Sequence, residues 1–494
     1  MSSNPATTSS LPALYQTYAE AVPELSVPCQ AEAPPSPQLT WLNEELAREL
    51  GYDPEWLRGP DGLALLTGQV PATTAQVYAG HQFGQPNPQL GDGRAVLLGD
   101  VVDPRGRRFD LHLKGAGRTP FARAGDGKAP LGPMLREAVI GESLHALGIP
   151  TTRALAVVST GERIRPRQGI TPEPGAMLTR VASSHLRVGT FEYAAWHLGP
   201  DVLRPLADHA IDRHHPAARD AENPYLDLLR CVAEAQARLV AQWMLVGFVH
   251  GVMNTDNMTI SGQGIDYGPC AFLDEHRARA VFSSIDHQGR YAYGNQPGIA
   301  LWNLSRFAET LLPLIAPEQP EAGIEAATAV LQDYEPAYLD AWTRGMAAKL
   351  GISGPYEGAG SATRHEGERG AAVRTLGEDL LTLLEAQRVD HTLFFRALTD
   401  GTAHELFTDP ATFENWDQRR RDLGGSIPAP DVNPVYIPRN VHVDTALRGA
   451  HLGDLSGVEE MLEAVRTPFD ARAHLAHLAG PGEGGDTFLT YCGT

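Results

Sequence analysis

Cysteine is scarce: Cys29, Cys231, Cys270 and Cys492 are the only four in 494 residues. They are too scattered for a disulfide framework or a thiolate zinc site. Long apolar runs are missing too. No stretch approaches the roughly eighteen consecutive apolar residues of a membrane span, so no membrane partner is expected. The opening MSSNPATTSSLP has neither a basic segment nor an apolar core. It reads as a polar tail rather than a signal peptide, and a cytoplasmic protein is expected. Positive charge is also short: 40 Lys and Arg stand against 60 Asp and Glu, a formal charge of −20. That balance argues against a nucleic-acid partner. The deficit is uneven, however. From Arg94 to Arg187, fifteen Lys or Arg face eight Asp or Glu, a local excess of seven. Such a concentration suits a small anionic ligand, although a solvated basic face explains any single arginine in it.

What is present is the composition of a globular chain, 42% apolar and 20% charged. The length suits about three domains of roughly 150 residues, or two larger ones. The stretch HGVMNTDNMTISGQGID, His250 to Asp266, gathers acid, amide and turn residues. Phe248 and Val249 would end a buried strand, the polar run would form a loop beyond it, and Met258 to Ile260 would add another short strand. Asp256, Asn257 and Asp266 then converge. Hard oxygen donors of this kind suit Mg²⁺ or Mn²⁺, completed by substrate phosphates.

Earlier in the chain, Leu42, Leu46 and Leu50 predict one helical face that ends at Gly51. YAGHQFGQPNPQLGDGRA is rich in Gly, Pro, Asn and Gln and predicts a loop without regular elements. Its end, Gly91-Asp92-Gly93-Arg94, fits either a phosphate-approaching turn or an ordinary hairpin turn. Ala95 to Val102 reads as a strand, Asp103 to Gly106 as a turn, and Arg108 to Lys114 alternates strictly. Lys114 therefore points away from the face of Phe109, Leu111 and Leu113, while His112 reads as a surface histidine. Asp126-Gly127 could contact a nucleotide or simply turn the chain. A helix from about Pro133 to Leu147 carries Glu137 and Glu142, either of which could pair with Lys114 in the lysine–glutamate arrangement of protein kinases. Thr151 to Ser159 and Ala176 to Val181 predict strands, with Arg180 and Arg187 on either side of a Ser-Ser-His turn. Pro224 to Val246 predicts a long core helix holding Cys231 as a buried thiol. Further helices are expected over Ile299 to Ile315, Ile324 to Leu350, Ala371 to Leu398 and Asp444 to Val465.

The order glycine loop, strand lysine, helix glutamate, long helix, polar loop and DYG triplet resembles a kinase-like enzyme. More narrowly, the chain resembles the selenoprotein O family, as a cysteine-containing homologue. The resemblance rests on YAGHQFGQPNPQLGDGRA, DLHLKGAGRTPFARAGDGKA, LREAVIGESLHALGIPTTRAL, MLTRVASSHLRVGTFEY, HGVMNTDNM, IDYGPCAFLD, FSSIDHQGRYAYGNQP and NPVYIPRN. It implies an α+β, protein-kinase-like bilobal fold with a strand-rich small lobe, a helical large lobe and additional C-terminal helices. The expected divisions are a tail and helical extension over 1–75, a nucleotide-binding small lobe over 76–195, a helical large lobe over 196–350, a flexible loop over 351–370 and a C-terminal helical region with a cysteine tail over 371–494.

The implied activity is metal-dependent transfer of AMP from ATP, bound in reversed orientation, to Ser, Thr or Tyr hydroxyls of proteins. By resemblance, Gly91, Gly93, Arg94, Lys114, Asp126, Gly127, Arg180, Arg187 and Asp266 would bind ATP. Glu137 would pair with Lys114, Asp256 would be the proton acceptor, and Asn257 and Asp266 would hold Mg²⁺ or Mn²⁺. One feature of the residues points the same way. Small-molecule kinases read HGDxxxxN at this loop, whereas the third position here is Val252, which cannot accept a proton. Family members often end in selenocysteine or cysteine followed by two small residues. This chain ends Cys492-Gly493-Thr494, and Cys492 with Cys270 forms a candidate redox pair; two unrelated free thiols are the alternative. UMP transfer from UTP, conventional protein phosphorylation, and a nucleotide-binding pseudokinase scaffold are the competing functions. A monomer is expected.

Overall fold

The computed structural model describes residues 11–165, 172–354, 364–484 and 488–490. The chain mixes helix and strand and divides into two compact units. The first comprises the chain up to Val77 with Leu90–Met134 and Arg153–His185; the second comprises Tyr78–Gln89, Leu135–Thr152 and the chain from Leu186 onward.

An eight-stranded antiparallel sheet organises the first unit. Its strands run in the order Ser26–Pro28, Thr74–Gln76, Ala95–Val102, Arg108–Lys114, Glu173–Ala182, Arg153–Ile164 and Gln38–Leu42, with Ala129–Pro130 pairing beside Glu173–Ala182. The central hairpin, Ala95–Val102 with Arg108–Lys114, has the predicted bounds. Asp103 makes its turn: Oδ1 accepts from Arg105 N at 2.9 Å and Arg107 N at 2.7 Å. Leu111, Leu113 and Val181 meet Leu46 and Leu66 in a core on one face of the sheet. Burial of each such leucine stabilises by roughly 1.5–3 kcal/mol. The opposite face carries Asp110, His112, Lys114 and Arg180, all buried. His112 is thus not a surface residue, as the alternation had suggested. The helix predicted through Leu42 also differs. The strand ends at Leu42 and the helix starts at Glu44, because Asn43 caps it, accepting from Leu46 N at 3.3 Å.

In the second unit the helix Pro224–Leu245 forms the spine. Asn223 caps it, and Leu228, Val232, Leu239, Val240 and Trp243 are buried along its stripe, against Gln296–Ile315 and Tyr334–Lys349. Cys231 on this helix is only partly buried. The single helix expected over 324–350 is two, Pro320–Gln332 and Tyr334–Lys349, parted at Asp333. Phe248–Val249 pairs with Ala271–Phe272, while Met258 to Ile260 forms no strand beyond a bridge of Thr259 to Arg187. Residues 355–363 lie outside the described residues, and from Arg364 the chain is helical to Gln387. Further helices span His391–Asp400, Pro410–Asp422, Asn440–His451 and Ser456–Arg466. Among the described residues, no helix is long and apolar enough to cross a membrane.

The stretch read as a loop contains a hairpin, Gly80–Gln82 with Gln85–Asn87. Phe83 and Gly84 both have positive φ, 53° and 78°, which is the two-residue turn that matches strand twist. Glycine and proline content hid it, and tertiary hydrogen bonds at the Phe83 amide hold it.

Candidate active site

The polar loop leaves the Phe248–Val249 strand at His250, which is fully buried and keeps its ring neutral, burial having pushed its pKa down. Its Nε2–H donates to Ile265 O at 2.9 Å, tying the start of the loop to its end. Gly251 has φ 84°, and a Cβ there would lie 2.5 Å from Pro269 O. Only glycine lets the two strands of chain pass so closely. Met253 O accepts from Asn303 at 3.0 Å, and Thr259 O from Gln236 at 2.7 Å. A single 3-10 turn, Thr255–Asn257, then presents the reactive candidates.

Asp256 is only partly exposed as a residue, and its Oδ1 is buried without a hydrogen-bond partner among the described residues. Burial pushes its carboxyl up to about 7, opposed by the Arg187 guanidinium and reinforced by the charges of Asp266 and Glu192. A carboxylate that takes a proton near neutrality suits general-base work. Asn257 donates its amide Nδ2 to Val252 O at 3.1 Å, so the amide oxygen is the atom of this side chain that could ligate a metal. Val252 therefore fixes the neighbouring amide through its backbone, where its side chain offers no chemistry. Asp266 has φ 69°, a left-handed conformation that is uncommon for a residue with a side chain and is concentrated at functional sites. Tyr267 beside it is fully buried and its hydroxyl meets Thr151 Oγ1 at 2.5 Å.

Arg187 begins the helix Val188–Tyr193, and its guanidinium lies 4.4 Å from the ring centroid of Tyr78. Val188 N donates to Met258 O, and Ile260 N to Leu186 O, both at 2.9 Å, so Arg187 and the loop form one block. The second unit thus brings together Asp256, Asn257, Asp266 and Arg187. Among the described residues no group of three or more His, Cys, Asp or Glu gathers as a metal site. A metal would rest on the amide of Asn257 and the carboxylate of Asp266.

In the first unit, Lys114 pairs with Leu178 and Arg180 with His112 across neighbouring strands, so both cations share the face opposite the core. Gly91 has φ 103°, and a Cβ there would lie 2.5 Å from the Phe121 ring. A Cβ on Gly93 would lie 3.0 Å from Phe121 O. Gly127 is tighter, with φ 73° and a Cβ position only 1.9 Å from Gly117 O. Arg94 O accepts from Gly115 N at 2.7 Å. Asp126 is exposed and accepts from Lys128 N at 3.0 Å. Glu137, in the second unit, is buried on the helix Leu131–Ala146, as is Glu142, which pairs with Arg466 at 3.3 Å.

Several site-building residues escaped the sequence reading. Asp92 anchors the glycine turn, accepting from Gln76 N and meeting His112 Nε2, each at 3.0 Å. Asn254 Oδ1 accepts from the Tyr291 hydroxyl at 2.6 Å and from Phe83 N at 3.1 Å. Glu192 is a buried carboxylate within an otherwise mostly apolar helix, and that isolated charge was the available signal. Cys270 is buried, and burial pushes its thiol up to about 12; its backbone carbonyl accepts from Arg136 at 2.6 Å. Cys492 lies outside the described residues. Thr490 donates its hydroxyl to Pro269 O at 2.7 Å.

Comparison with known proteins places similarity along nearly the whole chain. A family profile described as protein adenylyltransferase SelO matches residues 12–424. A protein nucleotidyltransferase YdiU of Mycolicibacterium smegmatis is 52% identical over 494 residues, 97% of this chain and 98% of the relative. Proteins of the same name from Pseudarthrobacter chlorophenolicus and Cereibacter sphaeroides are 51% and 50% identical, covering 98% and 97% of this chain and 98% of each relative.

Proposed function

The chain belongs to the SelO family and is a nucleotidyltransferase acting on proteins, and from that premise we propose that it transfers AMP from ATP to Ser, Thr or Tyr hydroxyls. The observation that carries this reading is Asp256. Its Oδ1, buried and without a partner among the described residues, and its near-neutral pKa equip it to take the acceptor hydroxyl proton, while Val252 offers no base. The acceptor oxygen then attacks the α-phosphorus, the bond to the bridging oxygen of the β-phosphate breaks, and pyrophosphate leaves.

The donor set at Asn257 and Asp266, an amide oxygen and a carboxylate, fits Mg²⁺ or Mn²⁺. Such a metal, when bound, would offset phosphate charge. Lys114 and Arg180, on the sheet of the first unit, are cations suited to phosphate oxygens, as is Arg187 in the second; Glu137 is the carboxylate assigned to Lys114 in this reading. Gly91, Gly93 and Arg94 with Asp126 and Gly127 are assigned to ATP in this reading, and Asp266 would hold the metal. These roles sit in a kinase-like bilobal fold, with a strand-rich small lobe and a helical large lobe.

A redox link is part of the same reading. Cys270 and Cys492 each lose a proton and together give two electrons to an oxidant such as a peroxide, forming a disulfide. Thr490, two residues before Cys492, rests on Pro269, next to Cys270. Burial holds the Cys270 thiol at a pKa of about 12, so little of it is thiolate at neutral pH.

Intact-mass measurement of an acceptor protein after incubation with ATP and Mg²⁺ or Mn²⁺ tests the reaction. An adenylyl adduct is expected; a phosphoryl adduct, or none with either metal, overturns it.

A further inference from the structure

Thr255, the residue before Asp256, is fully buried and its hydroxyl has no freedom to turn. It accepts from His81 N at 2.6 Å and donates to Glu192 Oε2 at 2.6 Å. The other carboxylate oxygen of Glu192 meets His81 Nδ1 at 2.5 Å, closing a three-residue ring of hydrogen bonds. The imidazole is held edge-on by Trp196 and Trp302, with centroids 5.4 and 5.3 Å away. Glu192 is 1% exposed at its side chain, an expensive place for a carboxylate unless its partners are fixed.

The same two elements reach the residues on either side of Thr255. The hairpin tip donates from Phe83 N to Asn254 Oδ1. On the helix that carries Glu192, Gly189 is pressed between chains: a Cβ there would lie 2.3 Å from Ala79 O and 3.4 Å from the Cα of Asp256. Ala79 N also donates to Gly189 O at 2.9 Å.

We propose that His81 and Glu192 are positioning residues that act through Thr255, clamping the Thr255–Asn257 turn so that the Asp256 carboxylate stands where the acceptor hydroxyl arrives. The YAGHQFG and VGTFEY motifs thereby gain a role in turnover that no ATP contact gives them. The inference rests on Asp256 being the proton acceptor.

The test measures the initial rate of α-labelled ATP transfer to a protein extract, at saturating ATP and as an apparent KM for ATP. The variants are Thr255→Val, Thr255→Ser, Glu192→Gln, His81→Phe and the His81→Phe/Glu192→Gln double, with Asp256→Asn as control. Thr255→Val is expected to lower the maximal rate at least about tenfold with KM changed less than about twofold, as for an interaction felt mainly in the transition state. Thr255→Ser restores most of the rate. Because the groups act as one unit, the double variant is no slower than the slower single variant. Melting temperatures identify any variant that fails to fold; if Thr255→Val does, the near-isosteric Glu192→Gln carries the comparison, with Thr255→Ser as the variant that keeps the hydroxyl. Wild-type rates in Thr255→Val or Glu192→Gln, or independent additive losses in the double, overturn the clamp while an inactive Asp256→Asn leaves the base intact. A fully active Asp256→Asn removes the base and the clamp together.

Discussion

Arg439, 1% exposed at its side chain, donates to Asp274 Oδ1 at 2.6 Å, eight residues past Asp266. The same guanidinium meets Asp390 and donates to Ala479 O at 3.1 Å. Next to it, Asn440 Nδ2 donates to Phe272 O at 2.9 Å and its Oδ1 accepts from Phe272 N at 3.3 Å, mimicking a strand partner. The NPVYIPRN motif therefore holds the segment that follows the DYG triplet.

Removing one partner of a buried ion cluster strands the others. Arg439→Met is expected to destabilise by about 3–5 kcal/mol, and Asn440→Ala by about 1–3 kcal/mol. Urea midpoints of purified variants check this; an unchanged midpoint for Arg439→Met contradicts it.

Lys349 is buried under the Phe395 ring, its Nζ 4.1 Å from the centroid, and burial pushes its pKa down to about 7. Between pH 7 and the ordinary lysine value, the unfolded chain binds a proton that the folded chain does not. Stability from this group therefore rises with pH across that window, by at most about 1.4 kcal/mol per unit, and is lost as pH falls through 7. Lys349→Met should be more stable than wild type at pH 7 and lack this slope. Denaturant midpoints at pH 7, 8 and 9 decide it, and parallel slopes for the two proteins would count against it.

Gly127 has no room for a side chain, with Gly117 O 1.9 Å from where its Cβ would be. Gly127→Ala must open the loop pair that Gly117 N and Gly127 O close at 3.1 Å. The strain, of order 1–3 kcal/mol, is expected to appear as a raised KM for ATP with the maximal rate less affected. Unchanged nucleotide affinity by calorimetry would remove this glycine from the ATP contacts.

The local parts of this architecture were legible where one physical signal dominated. The hairpin of Ala95–Val102 and Arg108–Lys114 could be read residue by residue, because strict alternation flanks a turn whose Asp103 supplies its own hydrogen bonds. The Pro224–Leu245 helix followed from its apolar stripe. That Asp256, Asn257 and Asp266 share one short polar loop was legible from donor chemistry, and their roles are those proposed above. What could not be read depends on distant partners. Phe83 adopts a left-handed turn where Asn254 and Tyr291 engage its amide. His112 is buried because Asp92 and the stacked His185 ring lie over it, centroids 4.3 Å apart, and alternation alone cannot distinguish a covered polar face from a wet one. Glu192 and Thr255 lie 63 positions apart, a separation at which spacing carries no information.

The central claim is that Asp256 is the base in an AMP transfer. Wild type and Asp256→Asn, each given ATP labelled at the α- or the γ-phosphate with Mg²⁺ or Mn²⁺ and a protein extract, test it most directly. The account predicts protein-bound α-label without γ-label in the wild type, falling at least about a hundredfold in Asp256→Asn, as expected when a general base is removed. Protein-bound γ-label, or an Asp256→Asn protein that transfers α-label at the wild-type rate, would contradict it.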